Sequence, residues 1–142
     1  MLKGIPNILP PEVLKILMEM GHGDEIIIAD GHFPAASHAQ RLVRCDGHTA
    51  PPLLEAILQL LPLDTFVKQP VALMALVPGD KYSPDIWPVY KKAIQRYNPH
   101  FIDFEMIERR AFYDRAKKAY AIIATGESAR YANLILKKGL VS

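Results

Sequence analysis

Residues 20–34 read Met-Gly-His-Gly-Asp-Glu-Ile-Ile-Ile-Ala-Asp-Gly-His-Phe-Pro, and this stretch decides the fold class. The apolar run Ile26 to Ala29 predicts a buried strand over residues 25–29. Glycines flank His22, which lets that loop approach a bound molecule closely. Asp30 follows the strand directly, and open α/β sheets bind ligands at the carboxyl ends of their strands. The stretch therefore predicts a sheet with an active site beside it, and its titratable pair suggests proton-transfer chemistry.

Helical and extended patterns alternate over the rest of the chain. Helices are predicted from Pro11 to Gly21, from Pro52 to Pro62, over 84–97 and over 109–118. Further strands are predicted over 41–45, 71–76, 101–107, 120–124 and 131–136, and the Gly-His-Pro-Ala segment after Asp30 is predicted to be a loop. This alternation predicts an α/β fold: a single compact domain over residues 1–142, with a central mostly parallel or mixed sheet flanked by helices.

The amino-acid composition indicates which classes of binding partner the chain has. The 17 basic and 15 acidic residues nearly balance, and no basic run stands out, which argues against nucleic-acid and membrane binding and favours a small neutral ligand. Half of the residues are hydrophobic, which predicts apolar surface left over for contacts in a homo-oligomer. One cysteine, Cys45, and an N-terminus without an apolar signal stretch favour the cytoplasm.

His22 and Asp30 are the first candidates for chemistry. His22 follows a predicted helix C-terminus, where the helix dipole favours the imidazolium, so it can act as a general acid. Alternatively, it only caps the last helical carbonyls. Asp30 can accept hydrogen bonds from sugar hydroxyls, or form an Asx turn into Gly31, or do both.

A second group of candidates lies in the C-terminal part of the chain. Arg109 can donate to several hydroxyls of one polyol, and Tyr113 can stack on a sugar face, although a solvated helix face explains the same residues. Tyr131 and Asn133 stand one strand period apart, which places them on the same side of the predicted strand, with a core tyrosine beside a turn asparagine as the alternative.

The histidines raise a second hypothesis, that the chain binds a metal ion. His22, Asp30, His32, His38 and His48 offer enough nitrogen and oxygen ligands for zinc, but their spacing matches no zinc signature. The sequence therefore predicts no metal, and it predicts that the last three of these histidines line a polar loop or face solvent.

Five motifs together resemble one known family. MGHGDE at 20–25, DGHFP at 30–34, AFYDR at 111–115, TGE at 125–127 and YANLILKKG at 131–139 resemble the ribose pyranase and fucose mutarotase family. The resemblance is nearest to the fucose mutarotase branch, since Arg109 matches a substrate-binding arginine that is a histidine in ribose pyranases. Gly31 stands where that branch has alanine.

The resemblance implies a function and a set of roles. It implies an isomerase that interconverts the α and β anomers of L-fucose or a related monosaccharide by acid–base ring opening, without a cofactor. His22 would be the proton donor, Asp30 and Arg109 would bind the sugar, and Tyr131, Ala132 and Asn133 would complete the pocket. Tyr113 is a further candidate for binding, and the group that takes the anomeric proton would be either Tyr113 or a water held by Asp30.

The same resemblance implies a quaternary structure. It implies a decamer built from two pentamers, with sites near subunit interfaces, which agrees with the apolar surplus in the composition. The sequence leaves three rivals open: pyranose–furanose exchange on D-ribose, a non-catalytic monosaccharide-binding or transport-accessory protein, and a metal-dependent sugar enzyme.

Overall fold

Ile26, Ile27 and Ile28 lie fully buried in a central strand of a six-stranded sheet. The structure, a computed structural model, describes residues 1–142. Consecutive isoleucines suit this position because successive side chains of a strand point to opposite faces, and here both faces are covered.

Five helices and six strands alternate along the chain. They are α1 (Pro11–Glu19), β1 (Glu25–Ala29), α2 (Ala35–His38), β2 (Leu42–Cys45), α3 (Ala50–Leu58), β3 (Val71–Met74), α4 (Ile86–Tyr97), β4 (Glu105–Ile107), α5 (Arg109–Lys118), β5 (Ala121–Thr125) and β6 (Leu134–Lys137). None of these helices combines the length and the hydropathy that crossing a bilayer requires.

The sheet is mixed and mostly parallel, so the predicted fold class is confirmed. The strands lie in the order β2-β5-β1-β6-β3-β4. β1 pairs in parallel with β5, β5 with β2, and β3 with β4, whereas β6 runs antiparallel between β1 and β3. The connections that follow β1 and β3 lead toward opposite edges of the sheet, which is the arrangement at which open α/β sheets form a binding crevice.

Two hydrophobic clusters cover the two faces of the sheet. Ile26 and Ile28 belong to a cluster of 28 buried residues that includes side chains of α1, α3 and α4. Ile27 and Ala29 belong to a cluster of 13 buried residues on the other face, where Phe112 of α5 is fully buried. The predicted layers of helix, sheet and helix are therefore present.

Several predicted boundaries were wrong. The short helix α2 stands where a loop was predicted. β3 ends at Met74 and β4 begins only at Glu105, so both strands are shorter than predicted. The last strand begins at Leu134 instead of 131, because Tyr131 has φ 58°, a left-handed conformation that cannot continue a strand.

Candidate functional site

A pocket of about 260 Å³ opens where β1 and β3 end and β6 begins. Its volume lies below the range of about 300–1,000 Å³ typical of drug-sized ligands, which suits a smaller molecule. The lining residues are Asp30, His32, Phe33, Met74, Val77, Arg109, Tyr113, Ala129, Arg130, Tyr131 and Asn133. The chain thus brings together five of the seven predicted site residues, from positions as distant as 30 and 133.

Asp30 is a buried residue of the pocket lining. Its Oδ1 accepts hydrogen bonds from the backbone N–H groups of His32 (3.0 Å) and Phe33 (2.9 Å). The predicted Asx turn is therefore present. Burial raises the pKa of the Asp30 carboxyl, although the N–H groups of these residues and of Ala132 oppose the rise. A carboxyl with a raised pKa in a pocket is suited both to accept hydrogen bonds and to exchange a proton.

Asn133 is fixed to the same strand end. Its Oδ1 accepts a hydrogen bond of 2.7 Å from the backbone N–H of Asp30. Because the oxygen is used in this way, the amide nitrogen is the group that Asn133 can offer to a ligand as a donor. Asn133 therefore sets the backbone position of Asp30 and also lines the pocket.

Tyr131 lines the pocket from a loop, not from a strand. Its hydroxyl donates a 2.6 Å hydrogen bond to Asp80 Oδ2 and accepts one of 3.2 Å from the Val77 backbone N–H. The Trp87 indole N–H donates to the Tyr131 carbonyl at 2.7 Å, which holds the unusual backbone conformation. The period-two argument that placed Tyr131 beside Asn133 was wrong, although both residues line the pocket.

Asp80 interacts with two further groups besides the Tyr131 hydroxyl. It also pairs with Arg130 at 2.9 Å and accepts from the Tyr82 backbone N–H at 2.9 Å. The Tyr131 hydroxyl, followed by these groups, lowers the pKa of Asp80. Asp80 therefore stays ionised, and the proton of the Tyr131 hydroxyl points toward it. A ligand meets this hydroxyl as an acceptor.

Arg109 is the first residue of α5 and takes part in no ion pair of the chain. Its guanidinium carbon lies 5.4 Å from the centre of the Tyr113 ring. Hydrogen bonding to Tyr113 raises the pKa of Arg109. Tyr113 in turn packs edge-on against Phe33, at 5.4 Å between ring centres. Arg109 is therefore a charged donor at the pocket that no carboxylate engages.

His22 lies outside this pocket, near the opposite end of β1 from Asp30. The five residues of β1 alone span roughly 13–16 Å. His22 Nε2 lies 3.0 Å from Asp64 Oδ1. His22 does not cap α1 either, because Lys138 Nζ donates to the carbonyls of Leu17 (2.7 Å) and Met20 (2.6 Å). The carbonyls at the C-terminus of α1, which were predicted to favour the imidazolium form of His22, are therefore hydrogen-bonded to a lysine ammonium instead.

One more residue differs from its predicted place. Ala132 is fully buried and lies outside the pocket lining; its carbonyl accepts a 2.8 Å hydrogen bond from the Tyr90 hydroxyl. His32 lies exposed in a loop, as predicted, and it also lines the pocket. Its position two residues after Asp30, inside the Asx turn, was the sequence feature from which a place in the pocket could have been predicted. No group of three or more His, Cys, Asp and Glu side chains is placed to hold a metal ion.

The fold and the site define a class: an α/β protein with a mostly parallel six-stranded sheet and a small pocket, lined by both apolar and polar side chains, at the point where its connections diverge. The particular family follows from comparison with known proteins. The model of the RbsD / FucU transport protein family matches residues 3–141, and this chain belongs to that family.

Full-length relatives agree with this assignment. The L-fucose mutarotase of Actinobacillus pleuropneumoniae serotype 5b (strain L20) is 49% identical over 140 residues, which cover 99% of this chain and 97% of the relative. The fucose mutarotase of Homo sapiens is 50% identical over 147 residues, with 99% of this chain and 95% of the relative covered. The crystal structure of the fucose mutarotase from Streptococcus pneumoniae in complex with L-fucose matches with a TM-score of 0.93 and 49% identity, covering 99% of this chain and 100% of that one.

Proposed function

We propose that this protein, as one domain over residues 1–142, is a mutarotase that interconverts the α and β anomers of L-fucose or a related monosaccharide. The observation that carries the proposal is the full-length likeness to a fucose mutarotase whose structure holds L-fucose. The pocket supports it, since its carboxylate, amide and unpaired guanidinium suit a ligand with several hydroxyl groups.

The proposed reaction needs only proton transfers. A base takes the proton of the anomeric hydroxyl while an acid protonates the ring oxygen, and the bond from the anomeric carbon to the ring oxygen breaks. The electron pair of that bond goes to the ring oxygen, and a carbonyl forms at the anomeric carbon. Rotation of the open-chain aldehyde and the reverse steps close the ring on the other face.

The binding roles follow from the hydrogen-bond donors and acceptors that each pocket residue does not use within the protein. Asp30 accepts from sugar hydroxyls with the lone pairs that its backbone partners do not use. Arg109 and the Asn133 amide nitrogen donate to the sugar. Tyr131 presents an acceptor oxygen, and the Ala132 backbone keeps the loop against Asp30. Tyr113, beside Arg109, is a candidate for the group that takes the anomeric proton.

His22 is the proposed proton donor, and its position requires a second copy of the chain. Within one chain β1 separates His22 from Asp30, so the two can meet a single sugar only when His22 comes from a neighbouring subunit. We therefore include a homo-oligomer in the proposal, a decamer of two pentamers with sites at subunit contacts. The exposed Phe66 ring, 5.2 Å from the His22 ring, supports a contact surface there.

The energetics are sufficient for a modest acceleration. Positioned acid–base catalysis contributes roughly 10²–10⁴-fold, or about 3–5 kcal/mol of barrier. His22 with one partner supplies this without a metal or an organic cofactor. A cytoplasmic location belongs to the same proposal and is supported by the free, buried thiol of Cys45.

A second candidate function is monosaccharide binding without catalysis. One observation favours it: the pocket of a single chain holds the sugar-binding groups but lacks His22. The family's description as transport proteins points the same way. Such a protein would bind L-fucose and leave anomer exchange at its spontaneous rate.

Exchange NMR on equilibrated L-fucose separates the two candidates. We expect catalytic amounts of the protein to speed exchange between the fucose anomers, with and without a chelator, and to do so less for D-ribose. The His22→Ala variant should bind L-fucose and lose most of the acceleration. Saturable fucose binding with exchange at the spontaneous rate would support the binding protein instead, and loss of activity on chelation would point to a metal enzyme.

A further inference from the structure

We propose that Glu127 is a positioning residue of the sugar pocket: it holds residues 129–131, the pocket segment, in place beside Asp30. This inference rests on the proposed function, since it concerns how the pocket keeps its shape for the sugar. Glu127 ends the TGE motif at 125–127, which the sequence singled out, and it lies outside the pocket lining. Its side chain therefore acts on the pocket through the residues that it holds.

The carboxylate of Glu127 joins two segments that are far apart in the sequence. Glu127 is only 8% exposed, so its hydrogen bonds must come from the protein. Its Oε1 accepts a hydrogen bond of 3.1 Å from the Ala50 backbone N–H, and its Oε2 accepts one of 3.0 Å from the Ala129 backbone N–H. Each oxygen has one backbone donor, and an ionised carboxylate suits this arrangement because both of its oxygens accept.

The contact with Ala50 anchors the carboxylate to the N-terminus of α3. Ala50 is the first residue of this helix, and the next two are Pro51 and Pro52, which have no N–H group. The Ala50 N–H is therefore the one free donor among the first three helical residues, and the side chain of Thr49 does not cap it. The helix dipole also stabilises a negative charge at this end. Glu127 thus has a fixed partner inside the fold.

The contact with Ala129 fixes the beginning of the pocket segment. All three residues of this segment line the pocket. They lie between β5 and β6, so no ladder of strand hydrogen bonds holds them. At the far end, groups of α4 and of the loop after β3 fix Tyr131. At the near end, the Glu127 carboxylate supplies the hydrogen bond that a strand partner would otherwise supply.

The backbone of Glu127 ties the same turn to both neighbours of Asp30. The Gly31 N–H donates to the Glu127 carbonyl at 2.8 Å. The Glu127 N–H donates to Thr125 Oγ1 at 3.1 Å, and the Thr125 hydroxyl donates to the Ala29 carbonyl at 2.7 Å. Because Ala29 and Gly31 flank Asp30, Glu127 sets the position of the pocket segment relative to that carboxylate.

Glu127→Gln tests the proposal because it keeps the size of the side chain and removes one of its two acceptor oxygens. We expect the remaining oxygen to stay with the fully buried Ala50, since the half-buried Ala129 N–H can reach water instead. The Kd for L-fucose and the KM for anomer exchange should then rise about 10- to 100-fold, because a displacement of about 1 Å has effects of this size. Since His22, the proposed proton donor, lies outside the pocket, kcat should stay near the wild-type value.

A double-mutant cycle with Tyr131→Phe shows whether Glu127 acts through the pocket segment. Tyr131→Phe removes the hydroxyl that the sugar meets as an acceptor. Glu127→Gln should therefore raise the Kd for L-fucose by a smaller factor in the Tyr131→Phe background than in the wild-type background. Equal factors in the two backgrounds would overturn the proposal, as would a wild-type Kd in Glu127→Gln alone.

Two further variants separate positioning from stability. Ile57→Val, at a fully buried side chain of α3, should lower Tm and leave the Kd for L-fucose unchanged. Thr125→Val removes the acceptor of the Glu127 N–H and perturbs the same turn from its other side. It should raise the Kd as Glu127→Gln does, and it provides the test if Glu127→Gln does not fold. A Kd that follows Tm in all of these variants would mean that Glu127 has only a structural role.

Hydrogen exchange measures the positioning independently of activity. In mass spectrometry at one fixed protein concentration, Glu127→Gln should speed amide exchange in peptides that cover the pocket segment, and Ile57→Val should not. Wild-type exchange of this segment in Glu127→Gln would overturn the proposal. If the wild-type protein fails to speed anomer exchange, the proposed function fails, while hydrogen exchange still tests whether Glu127 holds the segment.

Discussion

Asp30→Asn separates the binding role of Asp30 from its structural role. The Asx turn depends on Oδ1, which accepts from the His32 and Phe33 backbone N–H groups. An asparagine oxygen can accept the same two hydrogen bonds, so we expect the turn to survive. What the variant loses is the negative charge that a sugar hydroxyl would meet. We therefore expect a loss of affinity for L-fucose without a loss of stability.

The expected magnitudes follow from these contacts. A hydrogen bond to a charged group contributes about 1.5–3 kcal/mol and one to a neutral group about 0.5–1.5 kcal/mol. Loss of the charge toward one or two sugar hydroxyls then weakens binding by about 1–3 kcal/mol, or roughly 5- to 150-fold. Asp30→Ala differs, because it leaves the buried Phe33 N–H with only its longer hydrogen bond, of 3.4 Å, to the backbone carbonyl of residue 30. We expect this to cost about 1–3 kcal/mol. That corresponds to a fall in Tm of roughly 3–10 °C for a chain of this size.

The pH dependence of the stability difference between Asp30→Asn and the wild type can also be predicted, including its sign. Burial raises the pKa of Asp30 in the folded state, so the folded protein holds this proton above the unfolded pKa of about 3.9. The contribution of Asp30 to stability is therefore greatest below that pH and falls as the pH rises through the folded pKa. Asparagine does not titrate. The Tm of Asp30→Asn minus that of wild type should be near zero in acid and become more positive toward neutral pH.

Calorimetry measures both quantities. Titration with L-fucose gives the affinities, and scanning calorimetry at one fixed protein concentration gives Tm across the pH range, because oligomer stability depends on concentration. Wild-type fucose affinity in Asp30→Asn would refute the binding role. A fall in Tm as large as that of Asp30→Ala would refute the claim that the turn needs only an oxygen.

Three further substitutions test the scaffold around the site, each by thermal or urea unfolding. Gly126→Ala places a methyl group against the Asp46 carbonyl and should lower the free energy of unfolding by about 1–3 kcal/mol. The control is Gly47→Ala, whose added methyl meets no atom within 4 Å and which should change that free energy by less than about 0.5 kcal/mol. Equal effects of the two substitutions would refute the steric reasoning. Lys138→Met removes the ammonium from the last carbonyls of α1 and should cost about 1–3 kcal/mol; an unchanged Tm would mean that solvent replaces it fully. Phe112→Ala opens a cavity under α5 and should cost about 3–5 kcal/mol, and a value below 1 kcal/mol would show that the layer collapses to fill it.

Four of the five helices and most strands followed from local patterns. The spacing of α1 and its proline start were visible in the sequence, as was the buried run of β1. The ends of β3, β4 and β6 were not, because a strand ends where its pairing partners end or where one residue leaves the extended conformation. Tyr131 shows this directly: its sequence context is that of a strand, and its positive φ is imposed by contacts with Asp80 and Trp87.

The site shows the same division. Asp30 was predictable because a carboxylate directly after a buried strand is a local feature. His32 was not predicted as a pocket residue, because its place beside Asp30 depends on the Asx turn in which its N–H donates to the Asp30 carboxylate. The contact between His22 and Asp64 was not predicted, because it joins residues 42 positions apart and the sequence carries no local sign of it.

Local sequence was enough to predict the class of fold and five of the eleven pocket residues, because hydrophobic periodicity and the residue types at strand ends are properties of short segments. The tertiary structure decided which of those residues meet. It placed Asp30, Arg109, Tyr131 and Asn133 around one pocket, and it placed His22 at the other end of β1 beside Asp64. The physical reason is that strand order and register, set by packing across the whole sheet, fix distances between segments that no short stretch of sequence encodes.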